Sequence, residues 1–166
     1  MKKIFLILIA LMLFVFVGCS ETVKENRKTA EYTMIESYIE AQGYKVVSSI
    51  GEIDKYVLEK SKLHGGPETI PYQQIWSVQE VAPDKYWGKE ISTYCFIVKD
   101  HPLEKKYNVN TKVYIMISEN KLIGGYSFPN EELYGALHSF NGRTLDEITG
   151  FNFEEWSNNW KNKYGN

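Results

Sequence analysis

The chain changes its apolar spacing from block to block, and the first block is unbroken: Ile4 to Gly18 contains no polar side chain. Its 15 residues fall short of the roughly 20 that a bilayer-spanning helix needs. Ser20–Lys28 is polar apart from Val23, as a short tether would be. Ala30, Met34, Ile35, Tyr38, Ile39 and Ala41 then recur at helical spacing. They predict an amphipathic helix over Thr29–Gln42, stopped by Gly43. Tyr44–Ile50 is rich in β-formers and predicts a strand ended by Gly51. Ile53–Leu63 alternates imperfectly and reads as a further strand.

Beyond the His64-Gly65-Gly66-Pro67 loop, Ile70, Ile75, Trp76 and Val78 predict a helix starting near Pro71. Pro83–Gly88 is a turn. Three strands follow, at Lys89–Asp100, Thr111–Ser118 and Lys121–Ser127. Glu119-Asn120 joins the last two as a two-residue hairpin connection, and Gly124-Gly125 predicts a bulge or a close backbone approach. Pro129–Ser139 reads as a helix with Asn130 as its cap and Leu133, Tyr134 and Leu137 as its buried stripe. Thr144 caps a short helix to Ile148, and Phe153–Tyr164 is the last helix. This order predicts one α+β domain over residues 29–166: an antiparallel sheet of four to five strands with helices packed on one face. Such sheets can leave the other face to solvent or to a partner.

The N-terminus has the three parts of a secretory signal: Lys2-Lys3, an apolar core, and small Gly18 before Cys19. Phe16-Val17-Gly18-Cys19 resembles the bacterial lipobox, with Phe16 where a large aliphatic residue is usual. The resemblance implies cleavage before Cys19 and a diacylglycerol on its thiol. Residues 19–28 would then be the lipidated end and tether, on the extracytoplasmic face of the cell membrane. Two acyl chains suffice for stable anchoring. An uncleaved N-terminal anchor is the alternative, and it also leaves the rest of the chain outside the cytoplasm.

Loss of residues 1–18 leaves 148 residues, ample for one core. It removes Lys2, Lys3 and no acid, and so moves the net charge from −2 to −4. An acidic chain without a basic cluster argues against a nucleic-acid partner. The two cysteines are Cys19 and Cys95. With Cys19 lipidated no intramolecular disulfide is available, and Cys95, inside a strand pattern, reads as a small buried apolar residue.

Tyr86–Glu90, the aromatic strand through Tyr94–Val98, Val113–Ile117 and the Ile123-Gly124-Gly125 turn, followed by Leu133–His138, resemble a small domain of Gram-positive lipoproteins. That family is domain of unknown function 4830. The likeness covers about half of the mature chain. It implies an α+β architecture and brings no assigned activity.

No motif carries chemistry by itself. His64, His101 and His138 lack metal-ligand spacing. No Gly-x-Ser-x-Gly occurs, and the Gly-Gly pairs lack the lysine of a phosphate loop. The sequence therefore points to no catalytic residue, metal or cofactor. His101 reads as a solvated turn residue and His138 as a helix-end residue. Glu131-Glu132, Asp146-Glu147 and Glu154-Glu155 sit at predicted helix starts, where carboxylates complement the backbone dipole.

Aromatic residues remain as the functional hint: eight Phe, four Trp and twelve Tyr. Phe153, Trp156 and Trp160 share one face of the last helix. That face either docks on the sheet or first helix, meets a partner or membrane interface, or forms a platform for a sugar or peptide. The expectation is a lipid-anchored binding module of the bacterial envelope, with an envelope protein or cell-wall component as its ligand. The alternatives are a hydrolase whose carboxylates meet only in three dimensions and an assembly helper for an exported complex.

Overall fold

The computed structural model describes residues 19–64, 66–131 and 137–165, with side chains from residue 30 onward. The chain divides into two compact units, residues 1–37 and 38–166. Within the first, the described residues are helical: α1 runs from Cys19 to Ala41, its last turn belonging to the second unit. The helix thus includes the stretch expected to be a tether. Ser20–Lys28 is polar, but it lacks Gly and Pro and is rich in Glu and Lys, which favour helix irrespective of polarity. The apolar run 4–18 lies outside the described residues. Among those described, no helix is long and apolar enough to cross a membrane.

The second unit carries all the strands found among the described residues. Gly43, at φ +87°, ends α1 as expected. Its N–H donates to the Glu40 carbonyl, and the Tyr44 N–H donates to that of Ile39, so the last helical carbonyls are satisfied by the left-handed turn. Strand β1 (Lys45–Val57) pairs antiparallel with β2 (Glu90–Lys99). Gly51 does not end β1. Its φ of +107° accommodates one of three register shifts, and these leave Val47, Ile50 and Ile53 without partners on β2. A bulge of this kind bends and twists a strand without stopping it. Residues 58–63 leave the sheet through a 3-10 turn at Lys60–Lys62.

Helix α2 (Ile70–Ser77) follows a 3-10 turn at Pro67–Thr69, and a second such turn, Pro83–Tyr86, leads into β2. Strands β3 (Thr111–Ser118) and β4 (Lys121–Pro129) form the expected hairpin. Glu119 and Asn120 both have positive φ, +50° and +60°, the requirement of the type I′ turn that suits strand twist. A two-residue strand β5 (His138–Ser139) completes the order β1-β2-β3-β4-β5, antiparallel throughout. The expected helix over Pro129–Ser139 is corrected at both ends: Pro129 closes β4 and His138–Ser139 is strand. Its proposed stripe at Leu133 and Tyr134 lies outside the described residues.

Helix α3 (Pro102–Tyr107) stands where a plain turn was expected. Helices α4 (Leu145–Thr149) and α5 (Phe153–Tyr164) end the chain. Their paired acids behave as helix-start residues should: Glu147 accepts the Thr144 N–H at 2.8 Å and Glu155 that of Asn152 at 3.2 Å.

The five-stranded antiparallel sheet with its helices is the α+β architecture read from the sequence. Its cover is not confined to one side. Tyr94, Cys95 and Phe96 are consecutive and all buried, and successive strand side chains point to opposite faces. On one face Ile91, Met116 and Tyr126 pack with Trp76, Val78, Leu58 and Tyr164. On the other, Phe140 lies over Ile115 and Gly125, beside an aromatic group of Tyr38, Tyr44 and His101. The central strands therefore present no open face. Cys95 is buried as expected, and burial pushes its thiol pKa up.

Candidate functional site

The aromatic face of α5 forms because Asn152 starts the helix. The Asn152 Oδ1 accepts the Glu155 N–H at 3.0 Å, and Glu155 returns the bond. From there four rings run along one side of the helix. Phe153 and Trp156 are 5.7 Å apart between centroids, Trp156 and Trp160 5.4 Å, and Trp160 and Tyr164 4.6 Å.

The three residues singled out from the sequence part company here. Trp156 is only 9% exposed. Trp160 is half-buried, with its indole N–H donating to the Leu63 carbonyl at 2.8 Å. Phe153 is 71% exposed. The inner end of the row is therefore core, anchored further where Tyr164 and Lys163 both reach Asp84. Burial alone would raise the Asp84 pKa, but Lys163, Tyr164 and Trp87 together bring it below the usual carboxylate range.

Only the outer end of the row faces water, and Phe151 joins it there, also exposed. Sequence reasoning passed over Phe151. The signal was present: a phenylalanine just before the Asn152 cap, five residues ahead of Trp156 at the fourth helical position, has the placement of a hydrophobic staple. Further along the helix, toward its C-terminus, lies a groove of about 380 Å³ between α5 and the residue 63–73 loop and helix start, with Leu63, His64, Gln73, Trp156, Trp160 and Lys161 among its walls. Lys161 is the charged side chain among its described walls, and no described acid lines it. Trp156 is nearly covered and offers little face for a sugar ring to stack on.

A second aromatic depression, about 350 Å³, opens between α2 and the sheet at Tyr114, Tyr126 and Phe128. Tyr114 and Tyr126 stack with centroids 4.5 Å apart and planes 5° from parallel. Burial pushes the Tyr114 pKa up to about 12, so its hydroxyl stays protonated at neutral pH.

Two histidines differ from expectation. His101 is fully buried rather than solvated. The strand's last turn directs its ring inward, where Nδ1 accepts the Leu103 N–H at 3.1 Å and Nε2 donates to the Phe140 carbonyl at 2.8 Å. The imidazole thereby caps α3 and fixes its own neutral tautomer. His138 lies on β5 rather than at a helix end, buried, with Tyr107 edge-on at 6.2 Å and no partner for Nδ1 among the described residues. Burial lowers the pKa of both.

Three carboxyl groups have a clearly displaced pKa among the described residues. These are Asp84, Asp146 and Glu147, and all three are lowered. Nor do three His, Cys, Asp or Glu side chains converge among them as metal ligands would. No family model matches the chain, and neither a curated protein nor a solved structure shows significant similarity to it.

Proposed function

We propose that the chain is a lipid-anchored binding module on the extracytoplasmic face of a bacterial cell membrane, and that the outer end of α5 is its contact surface. The observation that carries this reading is the pair Phe151 and Phe153, exposed at the end of an aromatic row in which Trp156 and Tyr164 are buried and Trp160 is half-buried. Phenylalanine gains nothing from exposure, and large aromatics dominate the energetics of protein contacts. The anchoring half rests on Lys2-Lys3, the apolar run and Cys19. The acids Glu154 and Glu155 flank the rings, which favours a protein partner with an apolar pocket and a basic rim over an anionic lipid surface. A carboxylate-based hydrolase has less support, because it calls for a carboxyl of raised pKa.

A photo-reactive amino acid placed at position 153 in native membranes tests the contact half, with position 158 on the opposite side of α5 as the control. Adduct of one defined mass at 153 and none at 158 is the expected result. Equal labelling at both positions, or none at either, overturns it. The anchoring half is tested by Cys19→Ser, which should release the protein from the membrane fraction or leave residues 1–18 attached. Unchanged fractionation with an unchanged mature mass overturns that part.

A further inference from the structure

Strand β4 is far longer than its outer neighbour. It spans Lys121–Pro129, while β5 pairs with it only at Tyr126 and Ser127. From Lys121 to Gly125 its outer edge has no strand beside it among the described residues. An uncovered edge is a row of unsatisfied N–H and C=O groups, ready to template another strand. One of them is met by a side chain: the Gly125 N–H donates to Gln79 Oε1 at 2.8 Å, while Gln79 Nε2 donates to the Ile75 carbonyl at 2.7 Å. The carboxamide holds the position that a neighbouring strand's peptide group would occupy.

Around this edge lies a notch of about 270 Å³, with Tyr38, Gln42, Gln79, Glu80, Ser139 and Asn141 as its polar walls. Gly124 and Gly125 are part of its lining; at Gly124 the space of the missing side chain is held by Gln79 Oε1, so another main chain can approach closely there once the carboxamide moves. The volume is just under the ~300–1,000 Å³ of small-molecule pockets and fits a short stretch of extended chain. Glu80 is the one charged residue in its walls, and it makes no ion pair among the described residues. A cationic side chain is the natural complement.

We propose that this notch binds an extended peptide segment, which adds to β4 beside Ile123–Gly125 in line with β5 and places a lysine or arginine against Glu80. Main-chain hydrogen bonds supply the affinity in this mode and the alternate side chains supply the selectivity. Seating the segment displaces Gln79 Oε1 from the Gly125 N–H, so the carboxamide is a place-holder that keeps the edge satisfied when the notch is empty. The site is separate from the α5 surface, and each reading stands or falls without the other.

The test is a titration of glycine- and glutamine-labelled full-length protein in detergent micelles, followed by NMR. The probes are acetyl-Val-Lys-Val-Thr-amide and its Val-Glu-Val-Thr counterpart. The lysine peptide should shift the Gly124 and Gly125 amides and the Gln79 carboxamide saturably. The glutamate peptide, and the lysine peptide with Glu80→Gln protein, should bind about three- to fivefold more weakly, the upper range for a surface ion pair. No shift up to about 10 mM peptide, beyond the weak end of useful affinities, overturns the proposal. Equal response to both peptides, or shifts confined to residues remote from β4, overturns it as well.

Discussion

The indole of Trp76 donates a 2.9 Å hydrogen bond to the Tyr56 hydroxyl, tying helix α2 to strand β1 inside the core. Both side chains are buried, so neither group can turn to water instead. Burial also drives the Tyr56 pKa far above its ordinary value. Tyr56→Phe keeps the ring and its 4.8 Å contact with Tyr72 but strands the indole N–H. A buried donor without a partner costs about 1–3 kcal/mol, and the midpoint of urea unfolding should fall accordingly with an unchanged slope. An unchanged midpoint would mean that water reaches the indole.

The aromatic row of α5 predicts opposite outcomes at its two ends. Trp156→Ala removes a side chain that is almost wholly enclosed and should cost about 3–5 kcal/mol. Phe153→Ala removes one standing in water and should change stability by no more than about 0.5 kcal/mol. Thermal melts of the two variants decide the matter. Comparable losses at both positions would place Phe153 in the core and remove it from any contact surface.

Acid should destabilise the protein before its carboxylates titrate. The folded-state pKa of His101 and of His138 lies below the unfolded value, burial being the main cause in each. The unfolded chain therefore binds more protons in the interval between the two values. Stability is complete above the unfolded histidine pKa of about 6.5 and declines as pH falls below it. The lowered carboxyls Asp84, Asp146 and Glu147 add their own loss only below roughly pH 4.5. Urea midpoints measured at pH 7.5 and pH 5.5 should thus differ, with the lower value at the lower pH. A flat profile over that interval would contradict the neutral, doubly bonded state of His101.

Neighbouring glycines on β4 predict unequal penalties. A methyl group at Gly125 would meet the Tyr114 carbonyl oxygen at 2.5 Å, and backbone cannot step aside. At Gly124 the obstacle is Gln79 Oε1, the end of a side chain, which can swing away if it gives up two hydrogen bonds. Gly125→Ala should therefore be the more harmful of the two, and Gly124→Ala should cost about 1–3 kcal/mol for the lost bonds. Chemical denaturation of both variants checks the ranking, which a milder Gly125→Ala would reverse.

Local chemistry made several elements legible. Glu119-Asn120 carries the conformational demand of its turn within two residues, Gly43 does the same for the end of α1, and Asn152 with Glu155 announces α5. The β3–β4 hairpin needed nothing beyond such signals and a period-two pattern. What stayed hidden depended on distant partners. Nothing in Asp100-His101-Pro102 tells that the imidazole turns inward, because its acceptor is the carbonyl of Phe140, 39 positions along the chain. A strand as short as His138–Ser139 has no period to read. Gly51 resembles a terminator until β2 is known to continue beside it. In the candidate site, Phe153, Trp156 and Trp160 were found by spacing, but spacing is blind to Leu63, whose carbonyl takes the Trp160 N–H and turns part of that face toward the interior.

The irregularity of β1 bears on how many such molecules can stand side by side. Val47, Ile50 and Ile53 are each about half exposed, and a straight ribbon carrying them would invite a like ribbon from the next molecule. With an extra residue inserted at every third position, no two copies can zip together over more than a few peptide groups. The molecule keeps this rim apolar in this way without polymerising along it.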